Sequence, residues 1–539
     1  MTRAFTANVV VLGAGVGGVA AALAALDGGS TVILSEETDW VGGQLTSQAV
    51  PPDEHPWIER FGATRTYRRF RDNVRAYYRA NYPLSAVAAR QGELNPGAGR
   101  VSGLTHEPRV ALAVLEAMLA PWLASGRLTL LLRSRPVSAT THGDKVAAVE
   151  LFDLDSGATI TVVGDYFIDA TETGELLPLA GIDYVTGAES QADTGELHAP
   201  AVADPQNMQS VSVCFAMSHH PGEDHTIDKP ADYAHWQDYR PSAWGGLPQL
   251  GFTAPHRITL EPTTMKFDPN PPFDSATGPT ATDDDMPVRS NAWLFRRVLA
   301  RGHFAPQLTS DITLVNWPSI DYLGGNLFEN SPDEAARHLA SARQQSLSLM
   351  YWLQTEAPRP DGGTGYAGLK LRGDVTGTRD GLAKAAYHRE SRRILGLDRV
   401  VERDVSALDR EGRGVRHWQG SVGVGSYRID LHPSTGGDNY IDIAAYPFEI
   451  PLGVLVPRAF RNVLAGAKNI GTTHITNGCY RLHPVEWNIG ESAGRLAARC
   501  LREGTEPHAV ANDETLSADF QGELARSGVE LRWPELRGY

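Results

Sequence analysis

The chain has 539 residues, 42% of them hydrophobic, and a formal net charge of −15 at pH 7. This length predicts a globular protein with two lobes, and the acidic balance argues against non-specific binding to nucleic acid or anionic membranes. The cysteines Cys214, Cys479 and Cys500 form no CxxC pair, which argues against a disulfide framework. There is no apolar run of membrane-spanning length, and glycines interrupt the first apolar run, unlike a signal peptide. We therefore expect a cytoplasmic protein without a membrane partner.

A nucleotide-binding hairpin is predicted at the start of the chain. A strand, the sequence GAGVGG, an alanine-rich helix and a second strand follow one another within residues 9–34. Gly13 permits a tight turn, Gly15 lets the backbone approach a pyrophosphate, and Gly18 allows close packing of the helix. Phosphates are favoured at the helix N-terminus, where N–H groups are free. Glu36, at the end of the second strand, is placed to accept the ribose hydroxyls of an adenosine.

A Gly-Gly pair follows the hairpin. Gly42 and Gly43 stand in the sequence DWVGGQL, which resembles the loop that two-dinucleotide-binding flavoproteins place over the pyrophosphate and ribityl chain of FAD. Small residues suit such a loop because the cofactor passes close to backbone N–H groups. A flexible loop is the alternative interpretation. After a complete fingerprint, the pair favours FAD.

Residues 51–100 are predicted to form an irregular and helical insertion. Arg68, Arg71, Arg75 and Arg79 recur there at helical spacing on one face. We expect a solvated amphipathic helix, and anion binding is the alternative.

A further helix and three strands are expected before the next motif. Thr105 is a plausible cap for a helix that runs to about Ser125. Three β-like runs at residues 128–132, 145–152 and 159–163 then predict a small meander.

The middle of the chain, residues 183–449, is predicted to be a separate α+β substrate (cap) domain, because its strands and helices alternate irregularly. Residues 267–289 predict a long surface loop or active-site flap. Ser331 starts a predicted helix that ends near Glu356. One cluster has metal-ligand residue types, but Pro221 and Gly222 favour an exposed loop there, so we predict no metal site: His219, His220, Glu223, Asp224 and His225.

The far end of the chain is expected to complete the first domain. Residues 463–471 predict a buried strand and a glycine turn, and the N-terminus of a small-residue helix from Glu486 could bring N–H groups to the pyrimidine ring of a flavin. The predicted fold is α/β, with a Rossmann-like, GR2-like FAD-binding domain and an inserted α+β substrate domain. The FAD-binding domain is discontinuous, and a C-terminal extension follows it; the predicted ranges are 1–50, 101–182 and 450–505 for the domain, and 506–539 for the extension.

Four motifs give the chain a family resemblance. DW-x-GGQ, DAT-E-x-G-x-L, RESRRI-x-G and NIG-x-x-H…R-x-HP…G-x-x-AG stand at residues 39–44, 169–176, 389–396 and 469–494. On these motifs the chain resembles the FAD-dependent oxidoreductase family of the glutathione-reductase-like, two-dinucleotide-binding superfamily. The resemblance covers nearly the whole chain and implies flavin redox chemistry in a bacterial cytosol. Glu491 departs from the glutamine that is common at its position.

FAD is therefore the expected cofactor. The residues predicted to contact it are Gly13, Ala14, Gly15, Val16, Gly17, Gly18, Glu36, Glu37, Gly42, Gly43, Gln44, Leu45, Val137, Ala170, Thr171, Gly174, Gly466, Asn469, Asn488, Gly490, Glu491 and Ser492.

Three histidines are candidates for acid–base chemistry. Flavin oxidation of a C–H bond needs a base for the departing proton, and histidine suits that role. His432, His474 and His483 stand in the lobe or in the C-terminal segment expected beside the flavin. Each could instead be a hydrogen-bonded structural residue. We expect at least one to be catalytic, with His432 and His474 preferred.

Further candidates are Tyr387, Arg389 and Arg392, whose segment offers fixed positive charge for a carboxylate or an anionic transition state. The alternative is an internal ion-pair network with Glu390.

The expected function is oxidation or desaturation of a small polar metabolite by hydride transfer to flavin N5, with O2 or another acceptor as the electron partner, in specialised metabolism. One alternative is an FAD-dependent monooxygenase that uses NAD(P)H and O2. The lack of an evident second GxGxxG disfavours a built-in NAD(P)H domain. The other alternative is a non-catalytic flavin-binding or assembly protein.

Overall fold

The structure is a computed structural model that describes residues 3–272 and 291–534. Of the predicted loop or flap at 267–289, only the part up to residue 272 falls within this range. The last five residues of the predicted C-terminal extension also lie outside the described residues.

The first third of the chain alternates strands and helices. In chain order these are β1 (Arg3–Leu12), α1 (Val16–Asp27), β2 (Val32–Ser35), α2 (Arg65–Asn81), α3 (Ala86–Ala89), α4 (Pro108–Ala124), β3 (Leu128–Leu131), β4 (Ser134–His142), β5 (Lys145–Asp153), β6 (Thr159–Asp169) and α5 (Leu176–Ala180). A 3₁₀ turn, Gly43–Leu45, follows β2.

The middle of the chain contains mostly short strands around one long helix. Its elements are β7 (Tyr184–Val185), α6 (Gln191–Thr194), β8 (Val211–Ser212), β9 (Phe215–His219), α7 (Tyr233–Asp238), β10 (Thr253–Pro255), β11 (Pro262–Thr264), α8 (Ala292–Phe295), β12 (Arg297–Leu299), β13 (Ile312–Val315), β14 (Asp321–Tyr322), α9 (Pro332–Thr355), β15 (Leu369–Leu371), α10 (Gly373–Thr376), β16 (Arg393–Ile394), β17 (Ser421–Gly425), β18 (Ile429–Leu431), β19 (Ile441–Ile443) and β20 (Phe448–Pro451).

The described chain ends with one strand and four helices. These are β21 (Val463–Ala465), α11 (His474–Tyr480), α12 (His483–Glu503), α13 (Pro507–Asn512) and α14 (Glu514–Ser527).

A seven-stranded sheet forms the centre of the molecule. Its order is β3-β2-β1-β6-β5-β4, and β21 also pairs with β6. Strands β3, β2, β1, β6 and β21 are parallel, whereas β4, β5 and β6 form an antiparallel meander. Leu12 pairs with Asp169, and Asp169 pairs with Ala465. Three loops therefore leave the same edge of the sheet, which is where α/β proteins bind nucleotides. The α/β fold with a Rossmann-like core is as predicted.

Helices α1 and α12 touch at the level of their backbones. A Cβ atom on Gly490 would lie 1.9 Å from the carbonyl oxygen of Gly17, and one on Gly17 would lie 2.0 Å from that of Gly466. A Cβ on Gly494 would lie 2.2 Å from the carbonyl oxygen of Ala21. Real Cβ atoms do not approach carbonyl oxygens so closely, so only glycine fits at these contacts.

The predicted meander was wrong in one strand. The run at 128–132 forms β3, which extends the parallel sheet beside β2, while the first strand of the meander is β4. Strand β4 was missed because it is polar and contains Pro136, which suits an edge strand with a bulge. Thr105 is also not a helix cap: α4 begins after Glu107, and the Thr105 hydroxyl donates to Asn95 Oδ1 at 2.8 Å.

The arginine face of α2 is not solvated as expected. Arg71 and Arg75 are buried and form ion pairs with the carboxylates of Glu54 and Glu59 at 2.5–3.3 Å. Burial by itself would raise the pKa of Glu59, but the two guanidinium groups lower it to about 2. The expectation failed because these acidic partners come from the irregular segment before the helix, which carries no periodic signal.

The chain has two large hydrophobic cores, and the second is formed by residues of the middle of the chain. The first surrounds the seven-stranded sheet and includes α2 side chains together with residues between Ile394 and Val456. The second core lies against the antiparallel sheet β12-β13-β9-β15 and includes Trp293 of α8 and Leu349 of α9. Helix α9 begins with the predicted Ser331 capping box. The predicted domain boundaries stay a prediction. Within the described ranges, no helix is both long enough and apolar enough to cross a membrane.

The helix contact yields the first testable expectation. Gly490→Ala should lower the free energy of unfolding by about 3 kcal/mol, because the added Cβ meets the backbone of α1 and forces the helices apart. Gly522→Ala, within α14, is the matched control, since its Cβ would meet only the mobile end of Arg526 at 3.3 Å and alanine favours helix. Denaturant unfolding of both variants measures the difference. Equal midpoints would contradict the backbone contact.

Candidate active site

A cleft follows the edge of the sheet where β1 and β6 end. One end is formed around Glu36, Glu37 and Ser134, and the middle is formed by Gly13, Gly15 and Gly43. The inner end is formed by Ser47, Gln48, Ala385, Ala386 and His388. The cleft thus runs from the second strand of the hairpin, across the N-terminus of α1, to the segment after α10.

The carboxylate of Glu36 is held in place at the outer end. It accepts hydrogen bonds from the backbone N–H groups of Ala14 and Thr38, both at 3.0 Å, and from the Thr38 hydroxyl at 2.9 Å. Burial raises the pKa of Glu36 to about 7, against the lowering effect of these bonds. Glu37 and Glu175 also line this end, where a phosphate on the ribose would meet three carboxyl groups. The end therefore suits an unphosphorylated adenosine.

The middle of the cleft is a glycine cradle. Gly15 lines the cleft at the N-terminus of α1, which has no side-chain cap, so the positive end of this helix lies at the cleft. A Cβ on Gly15 or Gly43 would lie 2.9 Å or 2.7 Å from Glu172 Oε1. Gln48 Oε1 and His388 Nδ1 are without hydrogen-bond partners. The glycines and the uncapped helix end fit a diphosphate, Gln48 and His388 fit the polar chain of a dinucleotide, and the charge of Glu172 is balanced by Lys468.

A buried charge cluster lies behind the cradle. Lys468 is fully buried and forms an ion pair with Glu172. Burial favours the neutral amine, but Glu172 and Glu486 raise the pKa of Lys468, so its ammonium group is kept. Glu486, in the first turn of α12, accepts a hydrogen bond from Gln44 Nε2 at 2.5 Å. The C-terminal segment is thereby joined to the loop after the hairpin.

A second polar group of residues adjoins the inner end of the cleft. We call His432, Asp321, Asp430, Arg481 and Tyr387 the polar cluster. His432 Nδ1 lies 2.6 Å from Asp321 Oδ2, and His432 Nε2 lies 3.9 Å from Asp430 Oδ2. Arg481 donates to the Tyr387 hydroxyl at 2.6 Å and to the Asp430 carbonyl at 3.0 Å.

The polar cluster is linked to residues that neighbour the cleft lining in sequence. Gln44 Nε2 donates to the carbonyl oxygen of Arg481 at 3.1 Å. Tyr387 stands between Ala386 and His388, which both line the cleft. The His432 side chain is 18% exposed, so it can meet a substrate, whereas its partner Asp321 is completely buried.

The sequence comparison gives the family. Residues 8–524 match the family described as FAD dependent oxidoreductase. The chain belongs to this family. FAD is its cofactor, and the cradle and Glu36 are the residues of this FAD-dependent oxidoreductase that fit the ADP part.

Solved structures with detectable similarity match only part of the FAD-dependent oxidoreductase. L-proline dehydrogenase from P. horikoshii is 15% identical over 36% of this chain and 26% of that chain, with a TM-score of 0.19. RebC, the rebeccamycin biosynthetic enzyme with reduced flavin, is 16% identical over 41% and 39%, with a TM-score of 0.23. The myxobacterial chondrochloren halogenase CndH is 12% identical over 41% and 45%, with a TM-score of 0.22. The chain spans less than half of each. No curated protein shows significant sequence similarity.

The predicted FAD contacts divide into two groups. The residues that line the cleft are Gly13, Gly15, Glu36, Glu37, Gly43, Ala170 and Thr171. The other predicted residues do not line it; they are Ala14, Val16, Gly17, Gly18, Gly42, Gln44, Leu45, Val137, Gly174, Gly466, Asn469, Asn488, Gly490, Glu491 and Ser492. Among these, Ala14 donates to Glu36, and Val137 follows the lining residues Ser134 and Pro136 on β4.

The residues predicted on the last helix face other elements. Asn488 Nδ2 and Ser492 Oγ donate to the carbonyl of Val422 at 3.1 Å and 2.8 Å, and Glu491 accepts from the Thr66 hydroxyl. They lie in the second and third turns of α12, which begins at His483, so their side chains contact neighbouring elements and not the cleft. Asn469 holds the loop after β21 against the end of β6, because its Nδ2 donates to the backbone carbonyl of Asp169 at 2.9 Å.

The three candidate histidines have different surroundings. His474 is buried, with Nδ1 2.9 Å from Glu390 Oε1, in a network that contains Arg393. His483 is the first residue of α12, and its Nδ1 accepts from the backbone N–H of Asp53 at 3.1 Å. Burial lowers the pKa of His483 to about 3, so the ring is neutral. Of the three, His432 is the one held by a carboxylate while its ring remains accessible.

The arginine candidates are structural in their contacts. Arg389 is buried and pairs with Asp321 at 2.9 Å, which helps to fix the partner of His432. Arg392 pairs with Glu329 at 2.6 Å and donates to the Thr173 carbonyl at 2.9 Å. Both candidate arginines are thus paired with acids, and Glu390 pairs with Arg393 at 2.5 Å. These contacts agree with the alternative of an internal ion-pair network.

Several residues that line the cleft were not among the predicted contacts, including Gln48, Glu172 and His388, and neither was Lys468 behind it. His388 lines the inner end, and burial lowers its pKa to about 4. Lys468 pairs with Glu172 across about 300 residues of sequence. The position of Lys468, just after the glycine turn that follows β21, was the available signal. In the described residues no cluster of potential metal ligands occurs, and His225 is engaged by Glu223 at 2.6 Å.

The assignment of Glu36 at the outer end of the cleft can be tested by removing its charge. Above about pH 8, where Glu36 with its pKa of about 7 is ionised, Glu36→Gln should weaken FAD binding about tenfold, because a charged acceptor for the ribose hydroxyls becomes a neutral one. Titration of apoprotein with FAD, followed by quenching of flavin fluorescence, measures the dissociation constant. Glu93→Gln, at an exposed residue that does not line the cleft, is the control. Unchanged FAD affinity in Glu36→Gln would refute the assignment of Glu36.

The buried His474–Glu390 pair should make stability depend on pH. Burial opposes both charges, but Glu390 raises the pKa of His474 above 6.5, and His474 and Arg393 lower that of Glu390 to about 2. The histidine contribution is complete below 6.5 and is lost as pH rises through the raised pKa; the glutamate contribution is complete above 4.5 and is lost as pH falls towards 2.

The His474–Glu390 pair therefore contributes most to folding stability between pH 4.5 and pH 6.5, the ordinary pKa values of the two groups. The excess in thermal midpoint of the wild type over His474→Gln should be largest near about pH 6 and shrink towards about pH 9. His142→Gln, on the exposed edge strand, should show no such trend. A difference that grows with rising pH would show that the imidazole is not charged in the folded protein.

Proposed function

We propose that the protein oxidises or desaturates a small polar metabolite. The observation that carries this proposal is the accessible imidazole of His432, held at 2.6 Å by the buried carboxylate of Asp321, in a cluster whose Tyr387 stands between the cleft residues Ala386 and His388 in sequence. When bound, FAD supplies a two-electron acceptor that takes a hydride at N5. The protein must then remove a proton from the substrate, and the polar cluster offers a base for it.

His432 Nε2 is the proposed proton acceptor. The Asp321 carboxylate accepts the Nδ1–H hydrogen bond, which leaves Nε2 with its lone pair and stabilises the imidazolium that forms when Nε2 takes the substrate proton. Asp321 is itself fixed by the Ser212 hydroxyl at 2.8 Å and by Arg389 at 2.9 Å. Although burial raises the pKa of Asp321, Arg389 and His432 lower it below its ordinary value, so the carboxylate is ionised.

The rest of the polar cluster supports a polar substrate. Arg481 is buried, carries a full positive charge and orients the Tyr387 hydroxyl through a 2.6 Å hydrogen bond. A guanidinium and a phenol at one site suit the binding of a carboxylate or hydroxyl group. Apolar substrates would leave these groups without partners, at a cost in binding free energy.

The test is the anaerobic reduction of the purified FAD-loaded protein. The visible flavin band should bleach with a member of a panel of alcohols, amines and 2-hydroxy acids, with no need for a reduced nicotinamide. Bleaching by NADH or NADPH alone would contradict the proposal and favour the monooxygenase alternative. No bleaching by any of them would favour a non-catalytic flavin-binding protein.

Substitutions in the His432–Asp321 pair refine the test. With the substrate found in the panel, His432→Gln should slow flavin reduction by about 10²- to 10⁴-fold, and Asp321→Asn should also slow it, because each removes part of the base. The flavin spectrum of the oxidised enzyme should be unchanged in both. His235→Gln, on the exposed face of α7, is the matched control. A wild-type rate of reduction in His432→Gln would assign the base elsewhere.

A further inference from the structure

A second cavity lies at the other end of helix α1. The FAD cleft meets the N-terminus of α1, whereas Leu23, Ala24 and Asp27, in the last turns of the helix, line the second cavity. Twelve helical residues extend for about 18 Å, so the two sites are separate. The second cavity has a volume of about 480 Å³, which is in the range of small-molecule sites.

The side chains that line this cavity are predominantly basic. Arg65 and Arg69 come from α2, Arg495 from α12 and Arg526 from α14. Two carboxylates, of Asp27 and Glu523, also line it, so arginines outnumber acids by two to one. This excess of positive charge stands on a chain whose net charge is −15, where an arbitrary surface would be acidic.

The two carboxylates are already engaged. Asp27 accepts from Arg495 at 3.1 Å. Glu523 accepts from Arg499 at 3.3 Å and from Arg502 at 2.8 Å. Neither of the last two arginines lines the cavity, so the charge of Glu523 is satisfied from outside.

Three guanidinium groups are consequently left without an acidic partner. Arg65, Arg69 and Arg526 form no ion pair with a carboxylate in the part of the chain that the structure describes. Arg65 donates to the backbone carbonyl of Arg526 at 3.3 Å, which joins the start of α2 to the end of α14. Three cations that line one cavity without a counter-ion favour the binding of an anion there.

The start of α2 also lies at the cavity. Arg65 and Thr66, the first residues of this 17-residue helix, line the cavity, so the positive end of the helix dipole is near it. Several of the first N–H groups are already engaged, because Arg65 N–H donates to the Gly528 carbonyl and Tyr67 N–H donates to the Thr64 hydroxyl. Arg495 is also engaged, by Asp27 at 3.1 Å and by Glu491 at 3.6 Å. The donor set that a phosphate would meet is therefore the three arginines without an acidic partner.

We propose that this cavity binds a phosphate-bearing small molecule, with the phosphate held by Arg65, Arg69 and Arg526 at the N-terminus of α2. The indole of Trp122 also lines the cavity and offers an aromatic surface for an organic part of the ligand. The site is distinct from the FAD cleft and does not depend on the reaction that FAD supports.

The experiment is a calorimetric titration of the FAD-loaded protein with two probes, inorganic pyrophosphate and ADP. Both should bind saturably at one site, more weakly as salt is added, and without loss of the bound flavin spectrum. Equal affinities would show that the phosphate group alone is recognised. A markedly higher affinity for ADP would show that the nucleoside also contributes, through Trp122.

Matched arginine variants locate the site. Arg69→Gln and Arg526→Gln should each weaken binding of pyrophosphate about tenfold, and the double variant more, because each removes a charged donor. Arg60→Gln, an exposed arginine outside the cavity, should bind as the wild type does. The variant residues are exposed, and unchanged thermal midpoints will confirm folding. The proposal is overturned if neither probe binds, if binding is the same in the double variant, or if ADP binds only while flavin is released.

Discussion

The backbone contact between α1 and α12 is the constraint on which the rest of the molecule depends. Because Gly17 and Gly490 have no Cβ, the two helices approach within carbonyl contact, and the loop at Gly466 is drawn into the same space. That approach brings Lys468 beside Glu172, and Glu486 beside Gln44. Any side chain between the helices would separate these pairs. The cofactor cradle is therefore a product of helix packing as much as of its own glycine sequence.

The buried charged residues form two kinds of group. One has only structural contacts, and the other includes the accessible acid–base candidate. Arg393 lies between Glu189 and Glu390, with His474 attached, and nothing in this group is accessible. Breaking such a network leaves an uncompensated buried ion, so its members are constrained to remain paired. His432 shares its carboxylate partner with Arg389 but keeps one ring nitrogen free of a short contact. This difference in accessibility, rather than residue type, distinguishes the acid–base candidate from the structural histidine.

Local signals explain which parts could be predicted. The hairpin around Gly13 and the capping box at Ser331 are encoded by neighbouring residues, so sequence patterns were sufficient for them. The partners of Arg71 come from a segment without periodicity, and Lys468 meets Glu172 only through tertiary packing, so no pattern could pair them. At the candidate site, the outer end and the cradle were predicted, whereas the inner end with His388 was not, because it is assembled from elements distant in sequence.

Strand β6 pairs with both β1 and β21, and this affects how the protein folds during synthesis. Arg3 pairs with Ile160, and Asp169 pairs with Ala465, so the sheet joins segments separated by long stretches of chain. Such non-local contacts form slowly and raise the contact order. During synthesis, the dinucleotide hairpin emerges long before β21 and α12, so it lacks its neighbouring wall until these elements have left the ribosome. The complete cofactor cleft therefore forms only after α12 has been made, and the free edge of β6 needs protection from aggregation until then.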